Sequence, residues 1–127
     1  MKRKIFYLAF VLLFLNIGCR TSKFESKEKR LEFTGNPTTG YIWFFEIEDE
    51  SIIQVEETIK YLGEKKIVGA PSLFMYKIKS LKPGITTLCF QYKRPWENNN
   101  PEKDIFYDVK VNSTGNISIT KRKTNSY

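Results

Sequence analysis

From residue 30 to residue 120 the sequence is a succession of short apolar runs separated by turn residues. In the run ITTLCFQYK (85–93), alternation places Leu88, Phe90 and Tyr92 on one face and smaller or polar residues on the other. A repeat of two residues is the repeat of a strand that buries one face. No long stretch follows the helical repeat, so this feature predicts an all-β sandwich or barrel.

The remaining strands are predicted from runs of the same kind. The run at 51–62 fits a strand or a short helix, and its β-branched residues favour a strand. The segments KPG (82–84) and NSTGN (112–116) are turn signals, and we expect the run after the second turn to add an edge strand in a terminal hairpin. The other predicted strands are 30–33, 41–47, 73–81, 104–111 and 117–120.

The first 18 residues have the composition of an export signal. A basic start, MKRK, precedes an almost wholly apolar run at 5–15, which is shorter than the about 20 residues that span a bilayer. The segment LNIGC (15–19) resembles a bacterial lipobox, although Asn16 stands where the usual pattern has Leu. We therefore expect a lipid on Cys19. The alternative is ordinary signal cleavage that leaves Cys19 free or disulfide-bonded.

This interpretation divides the chain into four segments. The 127 residues suffice for one domain, and the polar run 20–29 suits a tether. We expect an exported, membrane-anchored bacterial lipoprotein in the periplasm or on the cell surface, or a secreted protein if the cysteine carries no lipid. The segments are a signal peptide (1–18), a lipid-anchored tether (19–29), the folded domain (30–120) and a C-terminal tail (121–127).

The composition excludes several kinds of catalytic site. The chain has no His, so Ser-His-Asp and Cys-His catalysis and His-ligated zinc are excluded, and its two cysteines form no CxxC motif. Paired carboxylates remain possible at Glu46, Glu48 and Asp49, but these residues fall on a strand edge with no apparent pocket, and a charged surface explains them better. We expect no enzymatic activity, no cofactor and no metal, and we interpret Cys89 as a spare thiol.

The charge of the mature chain is modest. Removal of residues 1–18 takes away three cations and leaves 18 basic against 14 acidic residues, a net charge of +4. Basic residues are scattered, as at 27–30 and 121–123, and do not line one predicted helix. We therefore expect no binding to nucleic acid.

A first loop, NPTTGY (36–41), joins two predicted strands and has a stiff backbone. Pro37 restricts its own φ angle, and Asn36 can close an Asx turn. Gly40 permits a positive φ before the aromatic strand. Taken alone, these features favour a structural turn over a second interpretation, a rigid binding loop.

Two further loops favour the second interpretation. VGAPS (68–72) precedes the strand that begins near residue 73, and KRPWEN (93–98) follows the strand that ends at Tyr92. Loops of a two-sheet sandwich can cluster at one end, and Trp and Arg are enriched at binding hot spots. The alternative is that Trp96 folds back on the edge of the sandwich with Arg94 stacked on it.

The motifs NPTTGY, GAPS and RPWE, in this order and at these separations, resemble the three binding loops of the chagasin family. Its members are protein inhibitors of papain-like cysteine proteases with an immunoglobulin-like β-sandwich fold. The resemblance covers residues 30–111, and its first and third motifs match in full. Ser72 stands where the family usually has Gly, and we expect it to restrict backbone approach to a protease. We also expect the family's first strand to be missing or reduced to residues 22–26.

The resemblance implies a reversible, tight-binding inhibitor that is a monomer and whose partner is a papain-like cysteine protease. Thr38 and Thr39 would enter the active-site cleft near the catalytic Cys-His pair. Residues 69–72 would contact one side through the main chain, and Arg94 and Trp96 would cover the other. The alternative is an immunoglobulin-like surface lipoprotein with an adhesion or assembly role and no protease target. The implied contact residues are Asn36, Pro37, Thr38, Thr39, Gly40, Tyr41, Gly69, Ala70, Pro71, Ser72, Arg94, Pro95 and Trp96.

Overall fold

The computed structural model describes residues 22–63 and 69–123, so the predicted signal peptide and Cys19 lie outside the described residues. The described chain is formed almost entirely of strands and contains one short 3-10 helix, Pro37–Thr39. Within these two ranges, no helix combines the length and the apolar composition that crossing a membrane requires. The strands are β1 (Glu28–Gly35), β2 (Ile42–Ile47), β3 (Ile53–Tyr61), β4 (Ser72–Ser80), β5 (Gly84–Lys93), β6 (Lys103–Val111) and β7 (Ile117–Lys121).

The strands form two antiparallel sheets that face each other across one core. The smaller sheet has the order β1-β4-β3, and the larger has the order β2-β5-β6-β7. The chain passes from one sheet to the other after β1, β2 and β4, and hairpins join β3 to β4, β5 to β6 and β6 to β7. This arrangement is an immunoglobulin-like β-sandwich, which confirms the predicted fold class.

An aromatic core fills the space between the sheets. Phe90 is fully buried, and its ring centroid lies 4.7 Å from those of both Phe33 and Tyr76. Leu88 and Tyr92 share the inward face of β5 with Phe90, as the alternation predicts. Tilted aromatic pairs at such separations stabilise a core beyond the area that they bury.

Strand β4 alternates along its whole length, whereas the sequence suggests alternation only in its second half. Ser72, Phe74 and Tyr76 are fully buried, and the intervening Leu73 and Met75 lie half-buried on the outer face. Apolar residues on both faces hide the repeat, because periodicity is visible only where the outer face is polar.

The terminal hairpin is confirmed. Strand β7 pairs with β6 from Ile117↔Val111 to Lys121↔Tyr107, and the turn closes with a 3.0 Å bond from Asn112 N to Asn116 O. The folded region extends beyond residue 120, because the guanidinium of Arg122 donates to the Asp108 carboxylate.

The folded region also begins before residue 30. Strand β1 starts at Glu28, and residues 22–27 form no strand but contact the sandwich. Phe24 packs against the core, Ser26 Oγ donates to Ser80 O at 2.6 Å, and Glu25 N donates to Thr114 O at 3.1 Å. These contacts place the start of the folded region within the segment predicted as a tether, and the segment 22–26 does not form the family's first strand.

Candidate functional site

The three predicted loops meet at one end of the sandwich. We call this end the loop pole and define it as residues 36–41 (loop 1), 69–72 (loop 2) and 93–97 (loop 3). It lies where β1 and β5 end and where β2 and β4 begin. The opposite pole carries the turns at 48–52, 81–84 and 112–116. The topology therefore brings together three motifs that are far apart in the sequence.

The backbone of loop 1 is a tight turn. Asn36 caps the 3-10 helix, because its Oδ1 accepts from Thr38 N, and Pro37 occupies the first helical position. Gly40 ends the turn with φ +84° and donates its N–H to Pro37 O at 3.0 Å. Thr39 Oγ1 donates to Asn36 O at 2.7 Å. The two threonines at the tip are exposed on a backbone fixed by these bonds.

Two hydrogen bonds join loop 1 to loop 2. Asn36 Nδ2 donates to Gly69 O at 3.3 Å, and Gly69 N donates to Thr38 Oγ1 at 3.1 Å. The same asparagine also donates its backbone N–H to the hydroxyl of Tyr92, at 3.0 Å. Asn36 therefore connects loop 1 both to loop 2 and to the strand that precedes loop 3.

Arg94 joins loop 1 to loop 3. Its Nε donates to Thr39 O at 2.9 Å, and its guanidinium carbon lies 4.3 Å from the centroid of the Tyr41 ring. Its Nη1 forms a 2.9 Å ion pair with Glu97, and this carboxylate raises the pKa of Arg94. A cation over an aromatic face adds roughly 0.5–1 kcal/mol at an exposed site. Arg94 therefore links loop 3 to loop 1, and the carboxylate of Glu97 neutralises its charge.

Trp96 is 68% exposed and lies against loop 1. A Cβ atom at Gly40 would lie 2.1 Å from the indole Cη2, so the ring occupies the space that the missing side chain leaves. Arg94 stacks on Tyr41 and not on this indole. The structure therefore does not show the alternative arrangement, in which Trp96 folds back on the sandwich edge with Arg94 stacked on it.

The side chain of Ser72 does not lie on the surface, where contact with a protease would require it. It is fully buried, and it pairs with Gly35 on one side and Tyr61 on the other. Its hydroxyl has no hydrogen-bond partner among the described residues. The alternation of β4 turns this side chain inward, so of the predicted contact residues Ser72 lies inside the sandwich rather than on the surface of the loop pole.

Several residues that support the loops were not among the predicted contact residues. Tyr92 holds Asn36, Glu97 holds Arg94, and the indole N–H of Trp43 donates to Thr34 O at 3.3 Å, just before loop 1. A buried Tyr or Trp usually finds a partner for its polar atom. This tendency indicates that Tyr92 and Trp43 need hydrogen-bond partners, but it does not predict which backbone atoms these partners are.

Among residues 22–63 and 69–123, no three His, Cys, Asp or Glu side chains lie close enough together to hold a metal ion. Glu46 and Glu48 line an open depression of about 350 Å³ on the outer face of the larger sheet. Asp49 does not line this depression. Its carboxylate accepts hydrogen bonds from Ser51, and these bonds lower the pKa of Asp49.

Alanine at Gly40 is expected to displace Trp96. Gly40 and Gly69 both have a positive φ, so alanine at either position is strained by roughly 1–2 kcal/mol. A Cβ at Gly69 meets no atom of the described residues within 4 Å, whereas one at Gly40 meets the indole. We expect similar losses of stability for Gly40→Ala and Gly69→Ala, but a shift of the Trp96 indole N–H resonance in NMR spectra only for the first. Equal indole shifts in both variants would contradict the contact.

Cys89 is expected to react slowly with alkylating reagents. Its Sγ donates to Asp104 Oδ1 at 3.3 Å, and burial together with this carboxylate raises the pKa of Cys89 to about 12. Because the thiolate is the nucleophile, the alkylation rate of a Cys19→Ser variant should keep rising above about pH 10. The same variant in urea should level off near the ordinary pKa of 9.0. A plateau near that value for the folded protein would contradict the environment described.

The fold and the site define a class of protein. An immunoglobulin-like sandwich that holds three interlocked, exposed loops at one pole is built to bind another protein. A model described as "Chagasin family peptidase inhibitor I42" matches residues 25–111 of the chain. The chain therefore belongs to the chagasin family of peptidase inhibitors, which confirms the resemblance found in its motifs, and this family is one of inhibitors and not of enzymes.

Similar proteins come from Entamoeba histolytica. Amoebiasin-2 is 33% identical over 84 residues, which are 65% of this chain and 68% of that protein. Amoebiasin-1 is 32% identical over 100 residues, which are 76% of this chain and 90% of that protein. The crystal structure of the cysteine protease inhibitor EhICP2 has a TM-score of 0.58 and 32% identity, and it covers 65% of this chain and 77% of that one.

Proposed function

We propose that this protein is a reversible, tight-binding inhibitor of papain-like cysteine proteases that fills the active-site cleft with its three loops. The observation that carries the proposal is the interlocked loop pole. Asn36, Gly69 and Arg94 join the loops through three intramolecular hydrogen bonds that link separate motifs. Membership of a peptidase inhibitor family and the similarity to a cysteine protease inhibitor support the same function.

Rigidity before binding favours tight inhibition. Each side chain that is immobilised on binding costs about 0.5–1.5 kcal/mol, and loop 1 is already held by Pro37, by its capping asparagine and by loop 2. Loops 1 and 2 carry no charged side chain, so their entry into a cleft requires no desolvation of an ion. Loop 1 is therefore suited to enter the cleft with little loss of entropy.

The geometry of loop 1 also explains how it could block a protease without being cleaved. Attack on a peptide carbonyl needs a nucleophile about 3–3.5 Å away with aligned orbitals. The carbonyls of Asn36 and Pro37 accept hydrogen bonds within the turn, and that of Thr39 accepts from Arg94. These bonds hold the tip in a closed turn, which disfavours rearrangement into the attack geometry.

Competitive inhibition kinetics test this function. The purified protein would be titrated against papain and other papain-like proteases at several substrate concentrations. We expect a single-site inhibition curve, an apparent inhibition constant that rises linearly with substrate, and recovery of uncleaved inhibitor after dilution. Absence of inhibition by the folded protein across the panel would overturn the proposal and favour the adhesion or assembly role.

We further propose that the protein is exported and anchored through a lipid on Cys19, as a monomer that presents its loops away from the membrane. The described chain supports this presentation, because Phe24 and Glu25 are held at the pole opposite the loops, beside the turn at 112–116. Expression in a bacterium that processes lipoproteins tests it. We expect the wild type in the membrane fraction and Cys19→Ser in the soluble fraction, and equal distribution of both would contradict the anchor.

A further inference from the structure

Three large apolar side chains at the end of β3 are exposed. Ile59, Tyr61 and Leu62 are 41%, 71% and 52% exposed. Strand β3 is an edge of the smaller sheet, and its residues from Glu56 to Tyr61 are all exposed. Isolated apolar residues on a surface are common, but a contiguous group marks an interaction site more often.

This group is continuous with the loop pole. Tyr61 pairs with Ser72 at the beginning of β4, and Leu62 N donates to Pro71 O at 3.2 Å. Ile59 lies one pleat further down the same strand, opposite Phe74. Tyr61 and Leu62 therefore adjoin loop 2, and Ile59 lies on the same face of β3 as Tyr61. Trp96 stands on loop 3, so the exposed apolar residues flank loop 1 from both neighbouring loops.

An exposed edge strand with apolar side chains is normally a liability. Proteins usually protect such edges with charges or Pro, because unpaired strand edges invite aggregation. In β3 the residues Glu56, Glu57 and Lys60 carry charge, and the exposed apolar residues of the strand, Ile59 and Tyr61, lie at the end next to the loops. The apolar surface is thus placed where a partner bound to the loops would cover it.

We propose that Ile59, Tyr61 and Leu62 form a fourth contact with the protease, on an apolar part of its surface beside the cleft. This inference rests on the proposed function and extends it. The three loops contact the cleft, whereas the β3 group contacts the protease surface beside the cleft. Proteases that carry a polar or charged surface at that place would lose the contact. The group therefore helps to determine which papain-like proteases are inhibited strongly.

Inhibition constants of matched variants test the proposal. The double variant Tyr61→Ser, Leu62→Ser removes the group, and Ile85→Ser is the control, because Ile85 is 69% exposed at the opposite pole. We expect the double variant to lose about tenfold or more in affinity for at least one protease of a panel, chiefly through faster dissociation. The control should stay within about twofold of the wild type.

The outcomes separate this inference from the proposed function. If the double variant inhibits every protease as the wild type does while Trp96→Ala is weakened, the fourth contact is wrong and the function stands. If the wild type inhibits no protease, the function itself fails. Thermal unfolding checks the folding of each variant, and Tyr61→Ser alone replaces the double variant if the latter unfolds.

Discussion

Replacement of Trp96 by alanine is expected to raise the inhibition constant about 30-fold, which corresponds to about 2 kcal/mol of binding free energy. The indole is 68% exposed and rests on Gly40, so it is available to a partner at the edge of loop 1. Large aromatic side chains at the centre of an interface carry much of the binding energy, because they bury more apolar area than other residues.

The effect should appear in binding and not in folding. Because the indole buries little surface in the free protein, thermal stability of Trp96→Ala should stay close to that of the wild type. Thr39→Ala is the companion variant, and we expect only a modest loss because the Thr39 hydroxyl bonds to Asn36 O within the loop. Unchanged inhibition constants for both folded variants would remove the assignment of loops 1 and 3 as contacts.

Replacement of Phe90 by alanine is expected to lower the free energy of unfolding by about 3–5 kcal/mol. Phe90 is fully buried at the centre of the sandwich, and its ring packs against Phe33 and Tyr76 of the smaller sheet and against Tyr107 of the larger sheet. Its removal leaves a cavity that the surrounding strands cannot fill without moving. Urea unfolding followed by the fluorescence of the buried Trp43 would measure the loss.

Phe106→Ala is the matched control for the core variant. Phe106 lies on the neighbouring strand β6 and is 39% exposed on the outer face, so its replacement should change stability far less. A core variant that loses no more than this control would contradict the position of Phe90 between the sheets. The two replacements remove the same side chain, so the comparison isolates burial from residue type.

The sequence predicts most of the fold because its outer faces are polar where its inner faces are apolar. The face assignment of Leu88, Phe90 and Tyr92 follows from alternation alone, and the terminal edge strand follows from the turn at 112–116. Strand β4 is less clear, since Leu73 and Met75 place apolar side chains on its outer face as well. Local pattern is informative only when the two faces differ.

The convergence of the loops could be anticipated only from a sandwich topology together with the family motifs. No spacing rule predicts that Arg94 would reach back over Tyr41 to Thr39 O, or that Asn36 would bridge to Gly69. Such contacts depend on how the sheets bring distant segments together. The inward position of Ser72 was missed for a related reason, since its motif suggested a loop whereas β4 already begins there.

The attachment of residues 24–27 was also beyond local inference. A polar segment is typical of a tether, yet Phe24 packs against the core and Ser26 donates to Ser80 O in β4. Glu25 N donates to Thr114 O in the turn of the terminal hairpin. A Cβ at Gly115 would lie 1.9 Å from Glu25 O, so the close approach depends on a glycine in the turn of that hairpin. This contact places Glu25 at the pole opposite the loops.

Amide hydrogen exchange of the protein with and without bound papain tests the central claim most directly. The account predicts that binding slows exchange in residues 36–41, 69–72 and 93–97, all at the loop pole, and leaves the turns at 48–52, 81–84 and 112–116 unchanged. Protection confined to those opposite turns or to the outer faces of the sheets would contradict the claim that the three loops occupy the protease cleft.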